Sequence, residues 1–223
     1  MIEKNGIEIN YMPEQTKGVF EVLSNQTFIS DYTLVGGTAL SIQLKHRLSE
    51  DLDFIFDGDE LNINSIKRNI AKVFTTYKII RQDKSWQIGF ILNQVKVTFF
   101  SAGSIALPFR VKERSFTYKK LTIGHVITIA VLKMSAIAHR NTIRDYYDLY
   151  WICKHRHPLL EVINETKKLI PALSPVTYTE TLIYTKDIEE NDISGHLEPT
   201  EIITKEQIAV FFTKELIKIK EDI

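Results

Sequence analysis

The sequence predicts an α+β fold, a mixed α/β N-terminal lobe over residues 1–110 followed by a mainly helical half over 111–223. Three observations support this. Short apolar runs rich in β-branched and aromatic residues alternate with segments of helical spacing up to about residue 110. Beyond Pro108 such runs give way to helical periodicity. One of the early runs ends in Gly36-Gly37, and the next opens on Asp51-Leu52-Asp53.

The elements follow in order. Glu14 to Phe28 is expected as a helix with Val19, Phe20, Val22 and Leu23 as its apolar stripe. Tyr32 to Val35 is a short buried strand, Thr38 to Lys45 a helix capped by its threonine, and Ser49 to Phe56 a second strand. Leu61 to Tyr77 has helical spacing. Ser85 to Leu92 and Gln94 to Ser101 form a hairpin turning at Asn93. The helical half comprises Thr122 to His139, Arg144 to Lys154, Pro158 to Ile170 (proline suiting a first turn) and Lys205 to Lys220. Pro171 to Pro199 is expected to be irregular.

Composition narrows the setting. A chain of 223 residues buries a substantial core. Lys+Arg and Asp+Glu are both 28, so net charge gives no support for a nucleic-acid partner, although a local patch is compatible with neutrality. A single cysteine, Cys153, precludes an internal disulfide and suits a reducing cytoplasm. No leader segment is evident at the N-terminus, and no apolar stretch approaches the ~20 residues that span a bilayer. The expectation is a cytoplasmic protein with no membrane segment.

The chemistry centres on the glycines and the acids. Residues two apart in a strand share a face, so Asp51 and Asp53 project together while Leu52, Phe54 and Phe56 face the core. Two carboxylates on one face repel unless a cation lies between them, and oxygen ligands of this kind suit Mg²⁺. A Gly-Gly turn opening onto a helix offers backbone N–H groups to phosphate. Each feature alone has a plain structural explanation: Gly-Gly ends many strands, and Asp-x-Asp often lies on a solvated edge. Their order and spacing favour a phosphate-plus-metal site.

Gly36-Gly37-Thr38-Ala39-Leu40 followed by His46-Arg47-Leu48-Ser49-x-Asp51-x-Asp53-Phe54 resembles the opening motif of the AbiEii/AbiGii nucleotidyltransferase-like toxins, a DNA polymerase β-like group of prokaryotic toxin–antitoxin and phage-defence systems. Lys133-Met134-Ser135-Ala136, Arg140 and Arg144-Asp145-Tyr146-Tyr147-Asp148-Leu149-Tyr150 are similar to the family's second signature. The resemblance implies a nucleotidyltransferase-like lobe whose cleft is completed by the helical half. It implies that Gly36 and Gly37 cradle a nucleoside triphosphate, with Thr38 at the helix start, and that Asp51 and Asp53 hold Mg²⁺, with Mn²⁺ as the alternative. Lys133 would offset triphosphate charge, and Arg144, Asp145 and Asp148 would form a second polar cluster bordering the cleft. Arg47 and Ser49 match the motif. Asp145 joins Asp51, Asp53 and Lys133 as a catalytic candidate.

Other readings of the second signature stay open. Lys133 could be an ordinary solvated lysine, although its apolar neighbours favour an inward-facing role, and Asp145 and Asp148, three apart on a helix, would serve equally as partners of Arg144 or of the helix dipole. Tyr146, Tyr147, Tyr150 and Trp151 suggest base stacking, but aromatics at this spacing are usually core. His46 and His139 lack the clustering of zinc ligands, and Cys153 has no evident activating base. Lys112, Arg114, Lys119 and Lys120 are the densest basic run.

One position departs from the family pattern. Nucleotidyltransferases of this superfamily usually carry a third carboxylate on a later strand, and in Gln94 to Phe100 the expected place is taken by Thr98. Either another acid, such as Asp145, replaces it, or catalysis is weak or absent. The resemblance thus implies transfer of a nucleoside monophosphate from an NTP to a hydroxyl acceptor, RNA and tRNA ends included, in a toxin with a cognate antitoxin. The alternative is a nucleotide-binding interaction module of the same fold. A kinase-like phosphotransferase is a third reading.

Overall fold

The computed structural model describes residues 6–221; residues 1–5, on which the expectation about a leader falls, and residues 222–223 lie outside them. The chain divides into two compact units, Met1–His125 and Val126–Ile223.

The first unit is built on a seven-stranded sheet of order β3-β4-β5-β2-β1-β7-β6. Its strands are β1 (Tyr32–Val35), β2 (Leu52–Phe56), β3 (Tyr77–Asp83), β4 (Gln87–Leu92), β5 (Val95–Ser101), β6 (Ser115–Tyr118) and β7 (Leu121–Gly124). β2 runs antiparallel to β1 and parallel to β5, while β7 runs parallel to β1. β1 and β7 are buried on both faces, so they appear as short, mainly apolar runs. On one face Leu52, Phe54, Ile88, Phe90, Val97 and Phe99 form the core, with Phe54 and Phe99 stacked at 5.1 Å. Asn93 and Gln94 both adopt positive φ, which closes β4 on β5 in a two-residue turn whose twist matches the strands.

Three helices belong to this unit. α1 (Glu14–Ser24) buries Val19, Phe20 and Leu23, but Val22 is exposed, because the 3.6-residue repeat rotates it off the stripe. The helix stops at Ser24 rather than Phe28: the Ser24 hydroxyl and the Asn25 amide both donate to the Glu21 carbonyl, and a 3-10 turn occupies Thr27–Asp31. α2 spans Gly36–Leu44. α3 is Ile63–Val73, capped by Asn62, whose side chain accepts from the Ser65 N–H at 3.0 Å. The helix ends before Tyr77, which opens β3, a strand absent from the sequence reading. β3 is exposed on nearly every residue and therefore lacks the alternation that marks a half-buried strand.

The second unit holds α4 (Val126–Ile137), α5 (Ile143–His155), α6 (Leu159–Leu169), α7 (Pro175–Ile183) and α8 (Lys205–Glu221). Two boundaries differ from expectation. Residues 122–124, expected to open a helix, belong to β7, which with β6 places residues 115–124 in the sheet. α7 interrupts the stretch expected to be irregular, beginning on Pro175 and burying Tyr178 and Leu182. No helix among the described residues is long and apolar enough to cross a membrane.

Candidate functional site

β1 ends in Val35, and the chain turns directly into α2 through Gly36, whose φ of 75° is the left-handed conformation that glycine adopts without penalty. Val35 stands opposite Asp53 on β2, so turn and acid are brought together by strand register. A Cβ on Gly36 would lie 3.2 Å from Asp53 Oδ2. On Gly37 it would meet Ser49 Oγ at 2.7 Å and Arg47 Nη2 at 2.8 Å, a clash that any larger residue would have to displace. The return loop is fixed from beneath by Thr38, whose buried hydroxyl donates to the Asp51 carbonyl at 2.5 Å and the Ser49 carbonyl at 3.4 Å. Arg47 is buried and donates to the Leu48 carbonyl at 3.0 Å.

Thr38, Arg47 and Ser49 are all buried beside the turn, and the Thr38 hydroxyl donates to the backbone around Asp51. The α2 N-terminus and the two acids stand at the same end of these strands. Val35 supplies no side-chain cap to that N-terminus. Asp51 is half-exposed, with Lys96 Nζ 3.5 Å from its Oδ2. Phe56, expected in the core, is half-buried.

Two carboxylates fit one Mg²⁺, which is commonly held by one or two acids while phosphate oxygens and water complete its shell. Thr98 lies opposite Asp53 in the parallel β2–β5 register and is buried. The position beside the acid pair is thus a neutral hydroxyl. Among the described residues no group of three or more His, Cys, Asp or Glu converges as a metal site.

The second unit has a different constellation. Lys133 on α4 forms ion pairs with both Asp145 and Asp148 on α5, the latter at 2.7 Å, and all three are buried. Asp145 also accepts from Arg140 Nε at 2.7 Å, from Arg140 Nη2 at 3.2 Å and from the Thr142 hydroxyl at 2.9 Å. Burial alone pushes the Asp145 carboxyl up, but the Lys133 ammonium and the Arg140 guanidinium outweigh it and hold it below the usual carboxylate range. Arg144, expected as the cluster's cation, is exposed; it sits one residue before Asp145, about 100° around the helix, while Arg140 reaches in from the α4–α5 connection. Arg140 stood within the second signature, but its partner was not legible because the connection's path was unknown.

Three of the four stripe aromatics are core, and Trp151 is half-buried. Tyr146 and Tyr147 are fully buried; the Tyr146 hydroxyl donates to the Thr181 carbonyl at 3.1 Å, and burial with Asp145 alongside raises its phenol to about 12. Burial pushes the Cys153 thiol up. In the 112–120 basic run, Lys112 Nζ donates to the Ser30 carbonyl at 2.7 Å and Lys120 Nζ to Thr27 Oγ1 at 3.1 Å, so two of the four cations clamp the 3-10 turn. Surface depressions of about 320 and 430 Å³ surround Asp57, Gly58 and Arg110. They lie beyond the C-terminal end of β2, whereas the acid pair marks its N-terminal end; Asp57 there accepts from the Val111 and Lys112 N–H groups and ties down a loop.

A mixed sheet with Gly-Gly at the end of one strand and paired acids at the start of its antiparallel neighbour is the arrangement of a nucleotidyltransferase fold. Known proteins agree. The family profile described as "Nucleotidyl transferase AbiEii toxin, Type IV TA system" matches residues 19–202, and the chain belongs to that family. An uncharacterised protein of Aquifex aeolicus (strain VF5) is 30% identical over 204 residues, covering 87% of this chain and 94% of its own. Among solved structures, JHP933 from Helicobacter pylori is similar in fold at a TM-score of 0.55 and 16% identity, covering 95% of this chain and 96% of that one. MenT4, a nucleotidyltransferase toxin of Mycobacterium tuberculosis H37Rv, is similar at a TM-score of 0.56 and 13% identity over 92% and 86% of the two chains.

Proposed function

We propose that this toxin-family protein transfers a nucleoside monophosphate from an NTP to a hydroxyl on RNA, tRNA ends included, with release of pyrophosphate. The observation that carries the reading is the register of Val35 against Asp53, which sets the Gly36-Gly37 turn beside the acid pair. The N–H groups at the start of α2 would bind the phosphate chain, and glycine at both turn positions leaves room for its approach. Asp51 and Asp53 would hold Mg²⁺ or Mn²⁺, the ion neutralising phosphate charge and polarising the reacting phosphoryl group when bound. Thr38, Arg47 and Ser49 would keep the turn and Asp51 in position. The toxin–antitoxin family supports a cognate antitoxin partner; a role in phage defence and a prokaryotic cytoplasmic setting belong to the same proposal.

A second reading has its own support. Thr98, opposite Asp53, is a poor base and a weak Mg²⁺ ligand. Asp145 does not readily substitute, since both its oxygens accept hydrogen bonds and its affinity for a proton is lowered. On this reading the protein binds nucleotide and signals through a partner, with transfer slow or lost. Incubation with RNA and either α- or γ-labelled NTP separates the possibilities. Label from the α-phosphate on RNA is expected; γ-label on a product would indicate phosphotransfer, and NTP binding with neither label moving would favour the binding module.

A further inference from the structure

Strand register extends the acid-bearing face well beyond the acid pair. Directly paired residues on neighbouring strands project to the same side of a sheet. Asp53 is opposite Thr98, Thr98 opposite Gly89, and Gly89 opposite Arg81, so one row runs from β2 to the sheet edge. The adjacent row runs from Lys96, which faces Asp51 at 3.5 Å, through Ile91 to Lys78. From Asp53 to Arg81 is three interstrand spacings, roughly 14 Å.

Three cations stand along these rows, Lys78 and Arg81 on β3 and Lys96 on β5, with the acids Asp51 and Asp53 at the β2 end. Lys78 and Arg81 are exposed, Arg81 sharing its charge with Asp83 at 2.5 Å across a solvated pair. The cations are separated by apolar side chains: Ile80 is 42% exposed and Ile91 half-buried. Ile80 owes its position to a β-bulge between Ile79 and Arg81, and its side chain lies over Gly89, where an added Cβ would come within 3.3 Å of Ile80 Cγ1. A bulge and inward-lying charges are also how sheet edges avoid pairing with another strand, which argues against a second copy docking here.

We propose that this face is a shelf for single-stranded RNA. Lys78, Arg81 and Lys96 contact its phosphates, and Ile80 and Ile91 offer an apolar surface to its unpaired bases, guiding the strand's end towards Asp53. Alternating cations and apolar side chains match a strand whose bases are uncovered; a duplex presents phosphates and buries its base faces. The proposal rests on the nucleotidyl-transfer reading only for what happens at the strand's end.

The test is binding of a fluorescein-labelled single-stranded RNA oligonucleotide to the full chain, followed by anisotropy across a salt series. NTP is absent and divalent ions are chelated, so failure of the nucleotide site does not enter. Lys78→Gln/Arg81→Gln should weaken binding at least tenfold and reduce the slope of log K against log[salt] by about 1.4, two phosphate contacts of ~0.7 each. Lys96→Gln, on a different strand, should weaken it several-fold. Lys167→Gln/Lys214→Gln, in the helical unit, should match the wild type. Equal affinity for wild type and the β3 variant, equal loss in the control, or equal binding of duplex RNA would overturn the proposal. So would a self-associating wild type whose dimer, and not its RNA affinity, is lost in the β3 variant. Absence of α-label transfer with an intact β3 dependence would count against the proposed activity and leave the shelf standing.

Discussion

Asp51 and Asp53 in the first unit and Asp145 and Asp148 in the second are both pairs of acids beside a lysine, yet their surroundings are opposite. Asp51 is 38% exposed and Lys96, itself half in solvent, stands 3.5 Å away. Water screens that contact, so it is weak and can be exchanged for a divalent ion at little cost. Asp145 and Asp148 close on a buried Lys133, and Arg140 and Thr142 complete the shell of Asp145. Removing one member of such a set strands the other charges away from water. Similar residue types therefore have different surroundings: Asp51 is within reach of solvent, and the closed set joins α4 to α5.

Four substitutions probe that contrast. Lys133→Met should have the largest effect, a loss of about 3–5 kcal/mol in urea denaturation, because two buried carboxylates lose their counter-ion. A loss under about 1 kcal/mol would mean that the second cluster is not structural. Asp145→Asn should cost somewhat less at pH 7, and its cost should depend on pH. The folded-state value of Asp145 is lowered, so its contribution is present above the ordinary carboxylate value of about 3.9 and is lost as pH falls through the folded value. Stability curves for wild type and variant should accordingly converge below about pH 4; a constant gap would contradict the charge-based account. Gly37→Ala should cost about 1–3 kcal/mol, since its Cβ must displace Ser49 and Arg47, and NTP affinity should fall with it. Asp51→Ala should change stability least, within about 0.5 kcal/mol by thermal melting, while abolishing Mg²⁺-dependent NTP binding.

Legibility in the sequence followed the same physical divide. The turn and the acids were legible because their chemistry lies in residues that are local in sequence, and the β4–β5 hairpin because apolar runs flank a two-residue turn. β3 was not, since an edge strand exposed on both faces carries no alternation. β7 was mistaken for a helix start because a strand buried on both sides and a buried helix show the same apolar run. Within the site, Thr38, Arg47 and Ser49 were recognisable as motif residues, but that they brace the turn from below depends on the path of the return loop. The choice of Arg140 over Arg144 likewise depends on tertiary geometry that spacing does not encode.

A ligand site at Asp51 and Asp53, as distinct from a structural pair, has a thermodynamic signature. Calorimetric titration of NTP into the wild type and Asp53→Ala, each with and without Mg²⁺, tests it most directly. Magnesium-dependent binding in the wild type, absent in a variant that melts at nearly the same temperature, is the predicted result. Undiminished binding to Asp53→Ala, or a variant destabilised as severely as Lys133→Met, would contradict it.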